Sequence, residues 1–150
     1  MLIRSAQEKD LPQLVAFQLA MALETENLQL DPAVLTQGMQ AVLSDANKGA
    51  YFVAEMEGKV VGSLMITYEW SDWRNGMVWW IQSVFVDKDF RGKGVYKALY
   101  THIQDLVKAD EKIRGIRLYV DKTNTSAQAV YKKLGMNGEH YATFEWMKFF

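Results

Sequence analysis

Val84-Phe85-Val86-Asp87-Lys88-Asp89-Phe90-Arg91-Gly92-Lys93-Gly94-Val95-Tyr96 reads as a strand that runs into a glycine-containing turn and opens a helix. That arrangement collects anions. N–H groups at a helix start point outward with the positive end of the dipole behind them, and glycine brings the backbone close to a phosphate with no Cβ in the way. Arg91 and Lys93 add mobile positive charge. The stretch is not a Walker loop, because no Gly-Lys-Ser/Thr follows at the required spacing, and it lacks the three glycines of a dinucleotide fingerprint. Taken alone, it is equally readable as a solvated turn before an amphipathic helix.

The flanking sequence supplies the frame. Leu2 to Ser5 reads as a first strand, and Leu11, Leu14, Val15, Ala22 and Leu23 recur at helical spacing behind Asp10 as N-cap. A second helix starts near Asp31 and runs through Val34, Leu35, Met39 and Val42. Tyr51 to Met56, Val60 to Trp70 and Met77 to Val86 are rich in β-branched and aromatic residues, with Gly58 and Asn75-Gly76 at the turns, which predicts an antiparallel meander. Val95, Leu99, Ile103, Leu106 and Val107 mark a third helix, and Ile116 to Val120 a strand. A fourth helix spans Thr125 to Leu134, closed by Gly135, before a last strand near Tyr141 to Met147. The order is strand, two helices, three strands, helix, strand, helix, strand: a mixed α/β plan. No repeat, low-complexity tract or linker interrupts residues 1–150, so a single domain is expected.

Composition narrows the function. With 150 residues, 49% of them hydrophobic, the chain can bury a core without metals or cross-links. It has no cysteine, which excludes disulfides, a thiolate nucleophile and cysteine-based metal sites, and two distant histidines, His102 and His140, make a metal centre improbable. Seventeen Lys and Arg against eighteen Asp and Glu give a net charge of -1, without the basic excess of a nucleic-acid binder. The N-terminal stretch has no apolar signal core and no later stretch is long enough to cross a bilayer, so no membrane association and a cytoplasmic location are the expectations.

A second segment, Asp121-Lys122-Thr123-Asn124-Thr125-Ser126-Ala127-Gln128-Ala129-Val130-Tyr131-Lys132-Lys133-Leu134-Gly135-Met136, follows the first in the chain. Together the two resemble the signatures of the GNAT superfamily of N-acetyltransferases, and the resemblance covers nearly the whole sequence. The first signature is Arg/Gln-x-x-Gly-x-Gly/Ala, matched at Arg91 and Gly94; Tyr96 stands where the family has a small residue. The second is Asn-x-x-Ala-x-x-x-Tyr-x-x-x-Gly-Phe/Met, matched at Asn124, Ala127, Tyr131, Gly135 and Met136.

The resemblance implies an α/β (α+β) fold with a mixed, mostly antiparallel twisted sheet flanked by four helices. It implies acetyl-coenzyme A as co-substrate and no metal. The pyrophosphate would be held at Arg91, Gly92, Lys93, Gly94, Val95 and Tyr96, and the thioester carbonyl by main-chain N–H groups of a splayed Val84, Phe85 and Val86. Asn124 would either cap its helix or bond the pantetheine arm.

The chemistry follows from pKa values. Amine attack on a thioester expels a thiolate whose conjugate acid titrates near 8.5, while a phenol near 10 stays protonated at neutral pH, so Tyr131 can donate a proton. The family uses the matching tyrosine as general acid, and a packed structural tyrosine is the alternative. An alkylammonium must first lose a proton, yet Trp80 and Gln82 occupy the region where some members place a glutamate. Water-mediated removal toward another acid is expected. Glu24 and Glu26, near the end of the first helix where the dipole disfavours carboxylates, are the candidates for binding a cationic amine or receiving its proton; a solvated helix end is the competing reading.

With no cysteine to carry an acyl group, transfer is direct, to a small-molecule or peptide amine. The rival function is a non-catalytic acyl-coenzyme A sensor module. Tyr68, Glu69, Trp70, Asp72 and Trp73 form an aromatic and acidic patch suited to stacking on an acceptor or to a homodimer contact. Arg114 and Arg117 read as solvated, and Phe149-Phe150 as an exposed apolar end unless a second subunit covers it.

Overall fold

A computed structural model describes residues 1–148; Phe149 and Phe150, and the reading placed on them, lie outside the described residues. The elements are β1 (Leu2–Ser5), α1 (Leu11–Glu26), α2 (Pro32–Ser44), β2 (Ala50–Met56), β3 (Lys59–Ser71), β4 (Gly76–Val86), α3 (Val95–Ala109), β5 (Ile113–Leu118) and α4 (Thr125–Lys133), with short 3-10 turns at Glu8–Asp10 and Lys88–Phe90. They fall into two units, Met1–Leu118 and the part from Tyr119 onward.

The first unit holds a five-stranded sheet in the order β1-β2-β3-β4-β5. The first four strands are antiparallel neighbours, and β5 runs parallel to β4 after the α3 crossover. The β2–β3 turn uses Glu57 and Gly58, both left-handed at φ 53° and 76°, which matches the twist of the strands it joins. At the next turn Asn75 takes the left-handed role at φ 48°. Gly76 serves differently, since a Cβ there would lie 2.8 Å from the Lys112 carbonyl oxygen.

Alternation along β2 divides the core. Tyr51 and Val53 pack with Leu14 of α1 and Met39 of α2. Phe52, on the opposite face, meets His102 of α3 at 5.6 Å between rings, so that histidine is a packing residue. Both faces are covered along its first part, which is why Ala50 to Ala54 read as an apolar run without alternation. On α3, Val95, Leu99, Tyr100 and Ile103 form the buried stripe. Burying Leu99 and Ile103 contributes about 1.5–3 kcal/mol each.

Three expectations are corrected. Asp10 does not cap α1 through its side chain; its buried carboxylate accepts from Arg4 at 2.8 and 3.0 Å and from the Gln7 N–H at 2.7 Å. Asp31 does cap α2, accepting from Ala33 and Val34 N–H. Arg117 is not simply solvated, because it pairs with Glu69 across the intervening β4. The last strand expected near Tyr141–Met147 does not form: among the described residues the sheet ends at β5, and these residues take no place in its ladder.

In the second unit, α4 is closed at both ends. Asn124 Oδ1 accepts from the Ala127 N–H at 3.0 Å. Gly135, left-handed at φ 87°, sends its N–H to the Lys132 carbonyl while Met136 N–H reaches Tyr131, the paired bonds of a Schellman cap.

Candidate functional site

The stretch that reads as an anion cradle is built as one. β4 ends at Val86, a 3-10 turn carries the chain through Lys88–Phe90, and α3 starts at Val95. Gly92 and Gly94 are left-handed at φ 75° and 78°, a conformation that costs any residue with a Cβ roughly 1–2 kcal/mol. A Cβ at either would meet nothing within 4 Å, so the space over both glycines is open. Gly94 is the N-cap of α3 and offers no side chain to its N–H groups. The helix therefore presents its first amides and the positive end of its dipole to that opening. A diphosphate fits this cradle, because the backbone supplies donors where no side chain intrudes.

The turn is seated on the sheet by Gly62. A Cβ there would come within 2.9 Å of Val95 Cγ1 and 3.2 Å of the Phe85 carbonyl oxygen, so glycine leaves the room in which the first residue of α3 settles over β3.

Arg91 differs from the mobile cation expected. Its Nε donates to the Val86 carbonyl at 2.9 Å, its Nη2 donates to Glu24 Oε2 at 2.9 Å, and its guanidinium lies 5.4 Å from the centre of the Phe85 ring. Phe85 in turn stacks on Phe17 of α1 at 5.0 Å. Lys93 lies over Phe90 at 4.8 Å, its ammonium held beside the turn. Tyr96 turns its ring along α3 toward Tyr100, one turn on, with 6.3 Å between centroids.

The end of β4 is distorted as well. Ser63 pairs with Phe85 and Met65 with Gln82, so Leu64 faces both Ser83 and Val84: a β-bulge, with Ser83 left-handed at φ 55°. The irregularity thus begins one residue before the expected Val84–Val86. Buried Gln18 of α1 donates from Nε2 to the Ser83 carbonyl at 3.0 Å. Asp87 N–H bonds the Val61 carbonyl, so alternation turns the N–H groups of Val84 and Val86 away from β3. On that side the pairing of β4 with β5 stops at Ile81 and Leu118.

Gln18 and Ser83 went unnoticed in the sequence. The available signal is a glutamine inside an apolar helical stripe with Leu14 and Phe17, which must find a partner when buried.

Glu24 and Glu26 close α1, both exposed, but only Glu24 meets the cradle. Beside them, Leu19, Leu23, Leu28, Gln29, Leu30 and Pro32 line an apolar groove at the α1–α2 connection. Asn27 makes that connection by turning left-handed at φ 49°. In the second unit, Asn124 spends its oxygen on the helix cap, and burial holds the Tyr131 phenol above its ordinary value near 10. Among the described residues, no group of three or more His, Asp or Glu is placed to hold a metal, and no helix is long and apolar enough to cross a membrane.

Comparison with known proteins agrees with the geometry. The profile of the acetyltransferase (GNAT) family matches residues 18–136. A crystal structure described as "a possible acetyltransferase from Clostridium difficile 630" is 45% identical, covers 99% of this chain and 98% of that one, and superposes with a TM-score of 0.92. An uncharacterized N-acetyltransferase of Methanocaldococcus jannaschii is 34% identical over 94 residues, 62% of this chain and 41% of the relative. The spermine/spermidine N(1)-acetyltransferase of Bacillus subtilis is 31% identical over 97 residues, 61% of this chain and 60% of the relative. The match thus spans less than two thirds of either of these two relatives. From the cradle at the head of α3, the bulged β4 beside it and the family profile across both units, the chain belongs to the GNAT family of acetyltransferases.

Proposed function

We propose that this chain is one acetyltransferase domain that moves an acetyl group from acetyl-coenzyme A directly to a primary amine. The observation that carries this reading is the open, glycine-lined N-terminus of α3. The family profile runs across the division at residue 118, which supports a single functional domain.

The main-chain N–H groups of residues 92–96, with Lys93, take the diphosphate. The outward N–H groups of Val84 and Val86 take the thioester oxygen as it gains negative charge. The amine nitrogen attacks the carbonyl carbon, the carbon–sulfur bond breaks, and the Tyr131 O–H gives its proton to the sulfur. A phenol held above 10 is protonated throughout the neutral range, so the donor is always loaded. Water carries away the proton that the ammonium loses before attack, and the second proton, lost by the nitrogen as the amide forms, returns through solvent to the Tyr131 oxygen.

For the acceptor we infer an aliphatic amine bearing further positive charge. The leucine-lined groove suits a methylene chain, and Glu26 beside it suits a second ammonium. The relative named for spermine and spermidine is consistent with that class. Release of free coenzyme A, measured across polyamines, amino acids, aminoglycosides and peptide N-termini, tests the proposal. Turnover with the polyamines is expected. Tight binding of acetyl-coenzyme A with no turnover on any amine would instead make the protein an acyl-coenzyme A sensor.

A further inference from the structure

We propose that Lys59 is a specificity residue for the coenzyme: with Lys93 it makes a two-ammonium site on the Phe90 ring, which takes the phosphomonoester on the ribose of acetyl-coenzyme A. The inference rests on the cofactor reading above and adds to it a contact from outside the glycine turn.

The start of β3 runs beside that turn. The Val61 carbonyl accepts from the Asp87 N–H at 2.8 Å, and Gly62 pairs with Val86 and sits against Val95. Lys59, the first residue of β3, brings its ammonium to 5.7 Å from the centre of the Phe90 ring. Lys93, between the two glycines, reaches the same ring at 4.8 Å. An aromatic face attracts an ammonium through its quadrupole, so half-buried Phe90 holds two long, exposed side chains at the rim of the cradle. Lys59 lies outside both signature segments, and the antiparallel pairing of β3 with β4 is what carries it there.

Two like charges on one ring repel each other. Among the described residues neither Lys59 nor Lys93 makes an ion pair that would relieve this. A dianion set between the two ammonium groups replaces that repulsion with two attractions.

The coenzyme supplies such a group. Its diphosphate already has donors in the amides of residues 92–96, but it carries one further phosphate, a monoester one ribose away. A phosphomonoester loses its second proton near pH 6, so it holds close to two negative charges at neutral pH. Lysine meets phosphate as a compact point charge on a flexible stem, which suits a ligand group at the rim better than a fixed fork would.

Calorimetric titration with coenzyme A and with dephospho-coenzyme A, which lacks only the monoester, tests the site without requiring turnover. The parent is expected to bind coenzyme A roughly tenfold more tightly than the dephospho form. Lys59→Gln should cut that preference about threefold or more by weakening coenzyme A alone, as suits the loss of one exposed charge pair. Lys59→Arg should keep the preference, and Phe90→Leu should lower it with both lysines still in place. Lys48→Gln takes the same charge from before the opposite end of β2 and should leave the preference at the parental value, which separates a local contact from net charge. Equal affinity of the parent for the two ligands, a preference that Lys59→Gln leaves intact, or an equal loss in Lys48→Gln overturns the site while the cofactor reading stands. Binding of neither ligand overturns the cofactor reading and this inference with it.

Discussion

The carboxylate of Glu24 accepts a 2.9 Å hydrogen bond from Nη2 of Arg91, joining the last turn of α1 to the start of the glycine turn before α3 across 67 residues of sequence. The two carboxylates that look alike in the sequence therefore part company. Glu24 pairs with the arginine, and Glu26, which makes no ion pair among the described residues, faces solvent; on the proposed function it is the one that would meet a cationic acceptor. Glu24→Gln should raise the KM for acetyl-coenzyme A about two- to fivefold with little change in Tm, as suits an exposed pair worth about 1 kcal/mol or less. Glu26→Gln should act on the KM of a polyamine instead. Steady-state kinetics with each substrate varied in turn distinguishes the two, and identical profiles would remove the division of labour.

Gly94→Val should weaken acetyl-coenzyme A binding at least tenfold in calorimetry. The side chain enters the open space over the turn and forces a β-branched residue to φ 78°. Because the strain alone costs roughly 1–2 kcal/mol, a matching loss of stability is expected, and Gly92→Ala should show the strain with a smaller effect on binding.

Tyr131→Phe should lower kcat by about two to four orders of magnitude with KM nearly unchanged, the pattern of a proton donor that acts only as the thiolate leaves. The donor form exists below the phenol's pKa, and burial has raised that pKa above 10. The kcat profile of the parent should accordingly decline only beyond pH 10, and the decline should vanish in the variant.

Gln18→Leu removes the donor to the Ser83 carbonyl and should cost about 1–3 kcal/mol by chemical denaturation. A fall in kcat larger than the fall in acetyl-coenzyme A affinity would show that the bulge orients the N–H groups of Val84 and Val86.

Away from the site, Arg4 holds the Asp10 carboxyl below the usual carboxylate range, chiefly through their hydrogen bonds. A lowered folded-state pKa contributes stability that is present above the unfolded value of about 3.8 and lost as pH falls through the folded one. Asp10→Asn should therefore cost about 2 kcal/mol at pH 7. It should also flatten the acid side of the stability curve below pH 3.8, which thermal melts across that range would measure.

Local chemistry explains what could be read in advance. The meander and α3 follow from alternation and helical spacing, and the cradle from two glycines at a strand-to-helix junction, because in these places neighbours in sequence decide the outcome. The Glu24–Arg91 and Gln18–Ser83 bonds join residues 67 and 65 positions apart, and no local pattern reports them. Asp10 misled for a related reason: it sits where a cap belongs, but Arg4 competes for the same oxygens and offers a charge-assisted pair. Tyr141–Met147 has the composition of a strand, yet composition does not supply an edge to pair with.

The close seat of α3 on Gly62 reaches beyond packing. Residue 62 bears no functional group and would be passed over in any search for reactive side chains. A single methyl there would press on Val95 and on the Phe85 carbonyl, and a shift of the helix head to relieve it would move the amides proposed to hold the diphosphate, while Tyr131 and both glutamates kept their identity. In a screen for lost activity this position is expected to register, although its whole contribution is to leave room.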